Sequence, residues 1–420
     1  MCEEINEILS APRRIHMLGI GGIGMAGLAV LLKERGHEVS GCDTQENRQT
    51  AWLRGKGIEV SMGHAVSHLN GADWIIRTTA VPDAHPEVQH ASVPVHRRGE
   101  VLPALLRDRF TIAVSGTHGK TTTAAMIAQL LDCGYCIGGE VQGFDGVARD
   151  GSIMVVEADE SDGTVANYHP DVAVITNIEY DHMEHHASAE SFENCFKKFI
   201  QNTREKIIYC ADDPAAARLC RNHPKSMPYG LQVSNFQFQV SLPGRHNRLN
   251  ALAAFEVCKQ WMPEKEILQK LAALKPVKRR FEVVFEGDYT VISDYAHHPT
   301  EIRALIDTAI ETLQPKRLLG IFQPHRYTRT RALGADFPAA FQGLEKLWLL
   351  PVYAASEAPL KGGTTDDLIG HFSEPWKQRI KFFQTLENAW KEIHCELRAG
   401  DVLLIIGAGD IEKITEWVRV

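Results

Sequence analysis

Gly116-Thr117-His118-Gly119-Lys120-Thr121-Thr122 follows the apolar run Thr111 to Val114, so the chain leaves a strand through a glycine turn that carries one lysine and several hydroxyls. Such a turn is a phosphate cradle. Glycines admit backbone N–H groups to phosphate oxygens, Lys120 adds a point charge for the outer phosphates, and Thr121 at the start of the next helix offers a hydroxyl to Mg²⁺ or Mn²⁺. Gly116, Thr117, Gly119, Lys120, Thr121 and Thr122 are therefore the expected ATP contacts, and Lys120 is the first candidate catalytic residue. The strict Walker pattern asks for glycine where the sequence has Val114, but the local chemistry survives that mismatch. A loop lysine of this kind carries little packing, so its replacement by alanine is predicted to silence the protein without unfolding it.

Upstream, the apolar run Ile15 to Leu18 leads into Gly19-Ile20-Gly21-Gly22-Ile23-Gly24, a helix-like run from Met25 to Arg35, and a second strand from Glu38 to Ser40 that ends near Asp43. Glycine spacing and the later acid fit the dinucleotide fingerprint, which would suggest NAD. The glycines themselves state less: a pyrophosphate can lie at a helix N-terminus, whichever nucleotide carries it. Downstream, buried-type strands are expected at Ile153 to Val156, Val172 to Ile175 and Lys206 to Tyr209, with a helix from Asn247 to Trp261. Further strands are expected at Phe281 to Phe285, Tyr289 to Ile292, Leu318 to Phe322, Leu347 to Leu350 and Val402 to Ile406. The pattern is α/β throughout, three domains in series at residues 1–107, 108–275 and 276–420. The first and last are Rossmann-like, and the middle one is a phosphate-loop ATPase on a parallel sheet.

Composition agrees and narrows the partners. A chain of 420 residues exceeds one ordinary core and points to about three domains. The net charge of -8 offers no basic footprint for nucleic acid. No apolar stretch reaches the length of a membrane span, so a cytoplasmic protein is expected, its oligomeric state left open. Nine scattered cysteines with a single C-x-x-C pair, Cys133 and Cys136, read as reduced thiols rather than a four-cysteine zinc site.

Two acidic clusters follow strands of the middle segment: Glu157-Ala158-Asp159-Glu160-Ser161-Asp162, and Asn177 through Asp181-His182. Ligands of open α/β sheets bind at the carboxyl ends of strands, where both clusters and the phosphate loop fall. A carboxylate and a histidine at adjacent strand ends beside Thr121 favour a Mg²⁺ site, since a hard cation on phosphates takes one or two protein ligands and several waters. In the last segment, Asp294 to Glu301 and Gln323 to Arg331 also follow strands. Their arginines are read as clamps for carboxylate or phosphate.

Taken in order, the Gly19–Met25 loop, the Gly116–Thr122 loop, Glu157–Asp162, Asn177–His182, Gly244–Asn247 with Asn250, Arg279–Phe281, Asp294–Glu301 and Phe322–Arg331 resemble the Mur ligases. The resemblance implies an ATP-dependent amide ligase joining L-alanine to the lactyl carboxylate of UDP-N-acetylmuramate through an acyl phosphate. It implies that Gly19, Gly21, Gly22, Gly24, Met25, Asp43, Thr78 and Thr79 hold the UDP-sugar rather than NAD. It places Thr121, Glu157 and His182 on the divalent cation, Asn247, Arg280 and Asp294 on ATP, and Tyr295, His297, Arg326 and Arg329 around the amino acid. His297 is the implied base for the amine and Arg326 a further catalytic residue. A recycling ligase that joins a tripeptide to the same sugar nucleotide is the alternative, and an NAD-dependent oxidoreductase is more remote.

Overall fold

The computed structural model describes residues 2–180, 186, 188–233, 240–355 and 357–418. Three sheets account for the α/β reading. The first holds β1 (Arg14–Leu18), β2 (Glu38–Asp43), β3 (Glu59–Met62), β4 (Trp74–Arg77) and β5 (Val95–Arg97), in the order β3-β2-β1-β4-β5, with all pairs parallel.

The second holds β6 (Phe110–Ser115), β7 (Gly134–Cys136), β8 (Ala148–Arg149), β9 (Ile153–Glu157), β10 (Val172–Ile175), β11 (Lys206–Cys210) and β12 (Ser226–Tyr229), in the order β12-β11-β10-β6-β9-β7-β8. Only β7 and β8 pair antiparallel. The third holds β13 (Glu282–Glu286), β14 (Thr290–Asp294), β15 (Arg317–Phe322), β16 (Lys346–Leu349), β17 (Ile380–Phe382) and β18 (Asp401–Ile406), in the order β13-β14-β18-β15-β16-β17, antiparallel only at β13.

Central strands are buried along nearly their whole length because both faces are covered. The run from Thr111 to Ser115 in β6 is buried, as is all of β10 and β18, which is the signature of a parallel sheet between helical layers. The helix Lys120–Leu131 behaves alike, buried on nearly every side. The expected helix near Asn247 runs Arg245–Cys258, ending earlier than Trp261.

By packing, the chain divides into two units. One takes Met1–Tyr180, His185–Gln239 and Leu249–Lys275, with the first two sheets; the other takes Val240–Arg248 and Pro276–Val420, with the third. Inside the first unit, Arg35 joins its two sheets through Asp108 at 3.0 Å and Asp150 at 3.2 Å. Gly27 lies against Cys136, and Gly99 lies so close to Thr164 that an added Cβ would stand 2.3 Å from its methyl.

Candidate active site

In the second sheet β6 lies between β10 and β9, so the loop after β6 opens at the switch point where ligands of such sheets bind. Gly116 and Gly119 take φ of +132° and +82°, open to glycine at little cost. A Cβ at Gly116 would stand 2.1 Å from Thr176 Oγ1, and one at Gly119 2.6 Å from Asn250 Oδ1. The loop is laced to the end of β10: His118 N donates to Asn177 Oδ1 at 2.8 Å, Thr176 Oγ1 donates to His118 O at 2.7 Å, and Glu179 N donates to Thr117 Oγ1 at 2.9 Å. The helix that follows has no side-chain cap at Gly119, leaving its first N–H groups to an anion.

Lys120 departs from the sequence-based expectation. Its ammonium is largely buried, 2.8 Å from Glu160 Oε2 and 2.7 Å from Gly116 O. Burial alone would lower its pKa, but Glu160, Asp159 and Glu157 outweigh that and hold the ammonium above the usual lysine range. It is not a loosely held surface lysine: Glu160 is fully buried beneath it, so removing the cation takes away a buried ion pair. Glu160 was missed as a functional residue, though it lies one helical turn's spacing from Glu157 in the same acidic run.

Thr121 Oγ1 donates to Glu157 Oε2 at 2.9 Å, and Gly138 N donates to the same oxygen at 2.8 Å. One hydroxyl and one carboxylate beside a phosphate loop suit a hard divalent cation, which prefers oxygen ligands and keeps several waters. His182, the third expected ligand, lies outside the described residues.

The first glycine loop repeats the plan with other parts. Gly19 has φ +74°, and its Hα faces the Thr78 methyl, which an added Cβ would meet at 2.5 Å. Gly21 N donates to Asp43 Oδ2 at 2.9 Å, while Asp43 Oδ1 accepts from Thr44 N at 2.7 Å. Asp43 thus spends its carboxylate on holding the loop. The helix Ile23–Glu34 begins at Gly22, again with no side-chain cap. Gly24 faces the guanidinium of Arg98, 3.2 Å from where a Cβ would be, a residue that sequence reading did not single out. Met25 is buried, whereas Thr79 is exposed.

In the second unit, Tyr295, His297, Arg326 and Arg329 gather at the carboxyl ends of β14 and β15, flanking β18. Arg279 and Arg280 lie over the Tyr295 ring at 4.7 and 5.2 Å. Asp294 accepts from Phe281 N at 2.7 Å and Ala296 N at 2.8 Å; burial pushes its carboxyl up while Arg280 pulls it back. His297 Nδ1 is 3.0 Å from Tyr295 O, a contact that puts the ring proton on Nδ1 and leaves Nε2 as the basic nitrogen.

Arg326 takes φ +70°, a rare conformation for a side chain this large and one that clusters at functional sites. Its guanidinium lies 3.6 Å from Glu357. His325, stacked on Tyr353, is pulled down to about 2 by burial and then by His297 and the neighbouring arginines, so it is neutral. Glu357 and Tyr353 come from a distant loop, and no local signal marked them. Asn247 donates to Pro243 O at 2.7 Å. The described cysteines are all free, Cys133 and Cys136 included. No helix among the described residues is long and apolar enough to cross a membrane.

Three α/β domains in series, with a phosphate loop at the switch point of the middle sheet, define a nucleotide-dependent enzyme of the phosphate-loop class. Residues 14–110 match the model described as "Mur ligase family, catalytic domain", residues 114–235 the Mur ligase middle domain, and residues 279–409 the "Mur ligase, glutamate ligase domain". The chain belongs to the Mur ligase family.

It is 36% identical to the UDP-N-acetylmuramate--L-alanine ligase of Solidesulfovibrio magneticus, over 96% of each chain, and 34% identical to that of Syntrophobacter fumaroxidans, over 97% of this chain and 95% of the relative. Among solved structures it is similar to the UDP-N-acetylmuramate-alanine ligase of Thermotoga maritima, with a TM-score of 0.83 and 28% identity over 97% of this chain and 98% of that one. A murein peptide ligase from Psychrobacter arcticus shares the fold at a TM-score of 0.74 and 22% identity, covering 97% of this chain and 98% of that one.

Proposed function

We propose that the chain is an ATP-dependent ligase that joins L-alanine to the lactyl carboxylate of UDP-N-acetylmuramate, a step in the making of peptidoglycan precursors. The observation that carries this is the end-to-end similarity to L-alanine ligases, at 36% identity over 96% of both chains, together with an intact phosphate loop. ATP use supports a cytoplasmic location for the reaction.

A carboxylate and a triphosphate repel, so the protein must supply positive charge where phosphoryl transfer concentrates negative charge. The loop amides, the uncapped helix at Gly119 and Lys120 do this. Thr121 and Glu157, with His182 carried over from the family resemblance, would hold Mg²⁺ or Mn²⁺, which neutralises phosphate charge when bound. On the same resemblance Asn247, Arg280 and Asp294 are ATP contacts. The Gly19–Gly24 loop and the helix at Gly22 take the diphosphate of the sugar nucleotide, with Thr78 and Thr79 at its side and Asp43 bracing it.

Attack of the carboxylate on the γ-phosphorus releases ADP and leaves an acyl phosphate. Phosphate is then the leaving group when the amine attacks. L-Alanine arrives as an ammonium ion, and His297 Nε2 is the base we assign to it. Arg326 and Arg329 suit its carboxylate, since a guanidinium binds that planar anion bidentately.

The test is phosphate release from ATP and Mg²⁺ with UDP-N-acetylmuramate, varying L-alanine against L-Ala-γ-D-Glu-diaminopimelate. Release that depends on both the sugar nucleotide and L-alanine is expected. Dependence on the tripeptide alone would transfer the chain to the recycling reaction, and release indifferent to the sugar nucleotide would sink the ligase reading.

A further inference from the structure

Behind the first glycine loop lies a buried carboxylate with an unusual set of neighbours. Glu87 is fully buried, yet its ion pairs are all with histidines: His64 Nδ1 at 2.7 Å, His68 Nδ1 at 3.5 Å and His85 Nδ1 at 3.6 Å. The Cys42 thiol, itself buried, stands 3.6 Å from Glu87 Oε1 and 3.3 Å from His64 Nδ1. His16 completes the group from β1. Its Nδ1 is 2.9 Å from Ser40 Oγ, while its Nε2 is buried with no hydrogen bond, and so is Nδ1 of His68. One donor atom from each of His16, Cys42, His68 and Glu87 falls within 4.8 Å of all the others.

We propose that His16, Cys42, His68 and Glu87 bind one divalent transition-metal ion, with Zn²⁺ the best fit. A tetrahedral zinc with a Zn–S bond of about 2.3 Å and Zn–N or Zn–O bonds of about 2.0–2.2 Å sets its ligands roughly 3.5 Å apart, so no pair within 4.8 Å needs to close by more than about 1.3 Å, some ~0.7 Å for each atom. Two imidazoles, a thiolate and a carboxylate form a donor set suited to zinc and poorly suited to Mg²⁺. It therefore differs in kind from the oxygen pair Thr121 and Glu157.

The outer contacts are those a metal site needs. Ser40 Oγ can accept from His16 Nδ1, which suits the tautomer whose Nε2 presents a lone pair, and Glu87 is held by Ala65 N at 3.1 Å on Oε1 and by His64 on Oε2. A core held by hydrogen bonds alone would leave His16 Nε2 and His68 Nδ1 unsatisfied, which is costly for buried polar atoms. The cysteine count in the sequence argued against a four-cysteine zinc site; the mixed set is assembled from β1, the end of β2, the short 3₁₀ turn Val66–Leu69 and the turn Pro86–Gln89.

Its position gives the site a consequence. Cys42 O accepts from Gly19 N at 2.9 Å and Ile20 N at 3.1 Å, and the next residue, Asp43, holds Gly21. A metal on Cys42 therefore braces the loop from behind.

The untagged full chain, stripped with a chelator, should be titrated with Zn²⁺ against a chromophoric competitor, and with Co²⁺ for its spectrum. One equivalent of Zn²⁺ is expected, undisturbed by excess Mg²⁺, and Co²⁺ should show the intense charge-transfer band of a thiolate ligand together with tetrahedral d–d bands. Cys42→Ser should remove the charge-transfer band. His68→Ala, at a partly exposed position and checked by circular dichroism for folding, should weaken Zn²⁺ binding by about 10–100-fold or more. A wild-type chain that binds Zn²⁺ no more tightly than His68→Ala, or an equivalent retained undiminished in both variants, would overturn the proposal.

Discussion

The two glycine loops of the first unit have the same backbone plan and opposite electrostatics. Each leaves a parallel strand, turns at positive φ, at Gly19 in one and at Gly116 and Gly119 in the other, and enters a helix with no side-chain cap. Behind the Gly19–Gly24 loop stands an acid, Asp43, whose oxygens accept backbone N–H groups; through the Gly116–Gly119 loop runs a buried ammonium, Lys120, locked to Glu160. On the function proposed above, the helix N-terminus supplies generic anion affinity in both loops, and the added side chain separates a loop that holds its anion from one that makes it react.

The sharpest way to break this comparison is Lys120→Met. Ligation should fall by roughly 10³-fold or more, with ATP-dependent phosphate release as the readout. Stability should fall as well, by about 3–5 kcal/mol, because one partner of a buried pair is gone. Denaturant unfolding of the double variant Lys120→Met/Glu160→Gln should recover most of that loss while activity stays absent. Restored turnover in the double variant would mean the lysine acts only as a counter-ion for Glu160.

Gly116→Ala comes next, with a loss of roughly 10²-fold in kcat/KM, because its methyl would collide with Thr176 and the backbone of Asn177. The equivalent change in the other loop, Gly19→Ala, should act on KM for the sugar nucleotide by about 10-fold and spare KM for ATP. Equal effects on both nucleotides would erase the division of labour. Glu157→Gln should raise the Mg²⁺ concentration needed for half-maximal rate, read by Mg²⁺ titration at fixed ATP. The smallest effect is expected for Asp43→Asn, which keeps an acceptor for Gly21 N but loses its charge: about 1 kcal/mol, or 5-fold in KM for the sugar nucleotide.

Both loops were legible in the sequence because close backbone approach and, at Gly19, Gly116 and Gly119, positive φ favour glycine, and the long buried strands because two covered faces demand long apolar runs. Short strands were not legible. Ala148–Arg149 has two residues, and Ser226–Tyr229 contains Pro228, tolerated because β12 is an edge strand that need not donate on its outer side. Glu157 could be found from its place at a strand end, whereas the tie between Glu160 and Lys120 depends on a side chain folding back under the loop. Arg98, Tyr353 and Glu357 reach their sites from distant segments, and the mixed histidine and cysteine cluster draws on four separate elements. Such groupings follow from topology, which no local pattern records.

Gly99 sets a length as well as a fit. Because the helix Arg98–Leu105 and the 3₁₀ turn Thr164–Asn167 approach until only hydrogen separates Gly99 from Thr164, their spacing is calibrated by the smallest side chain available. Any larger residue there would act as a shim, wedging the helix away from the turn.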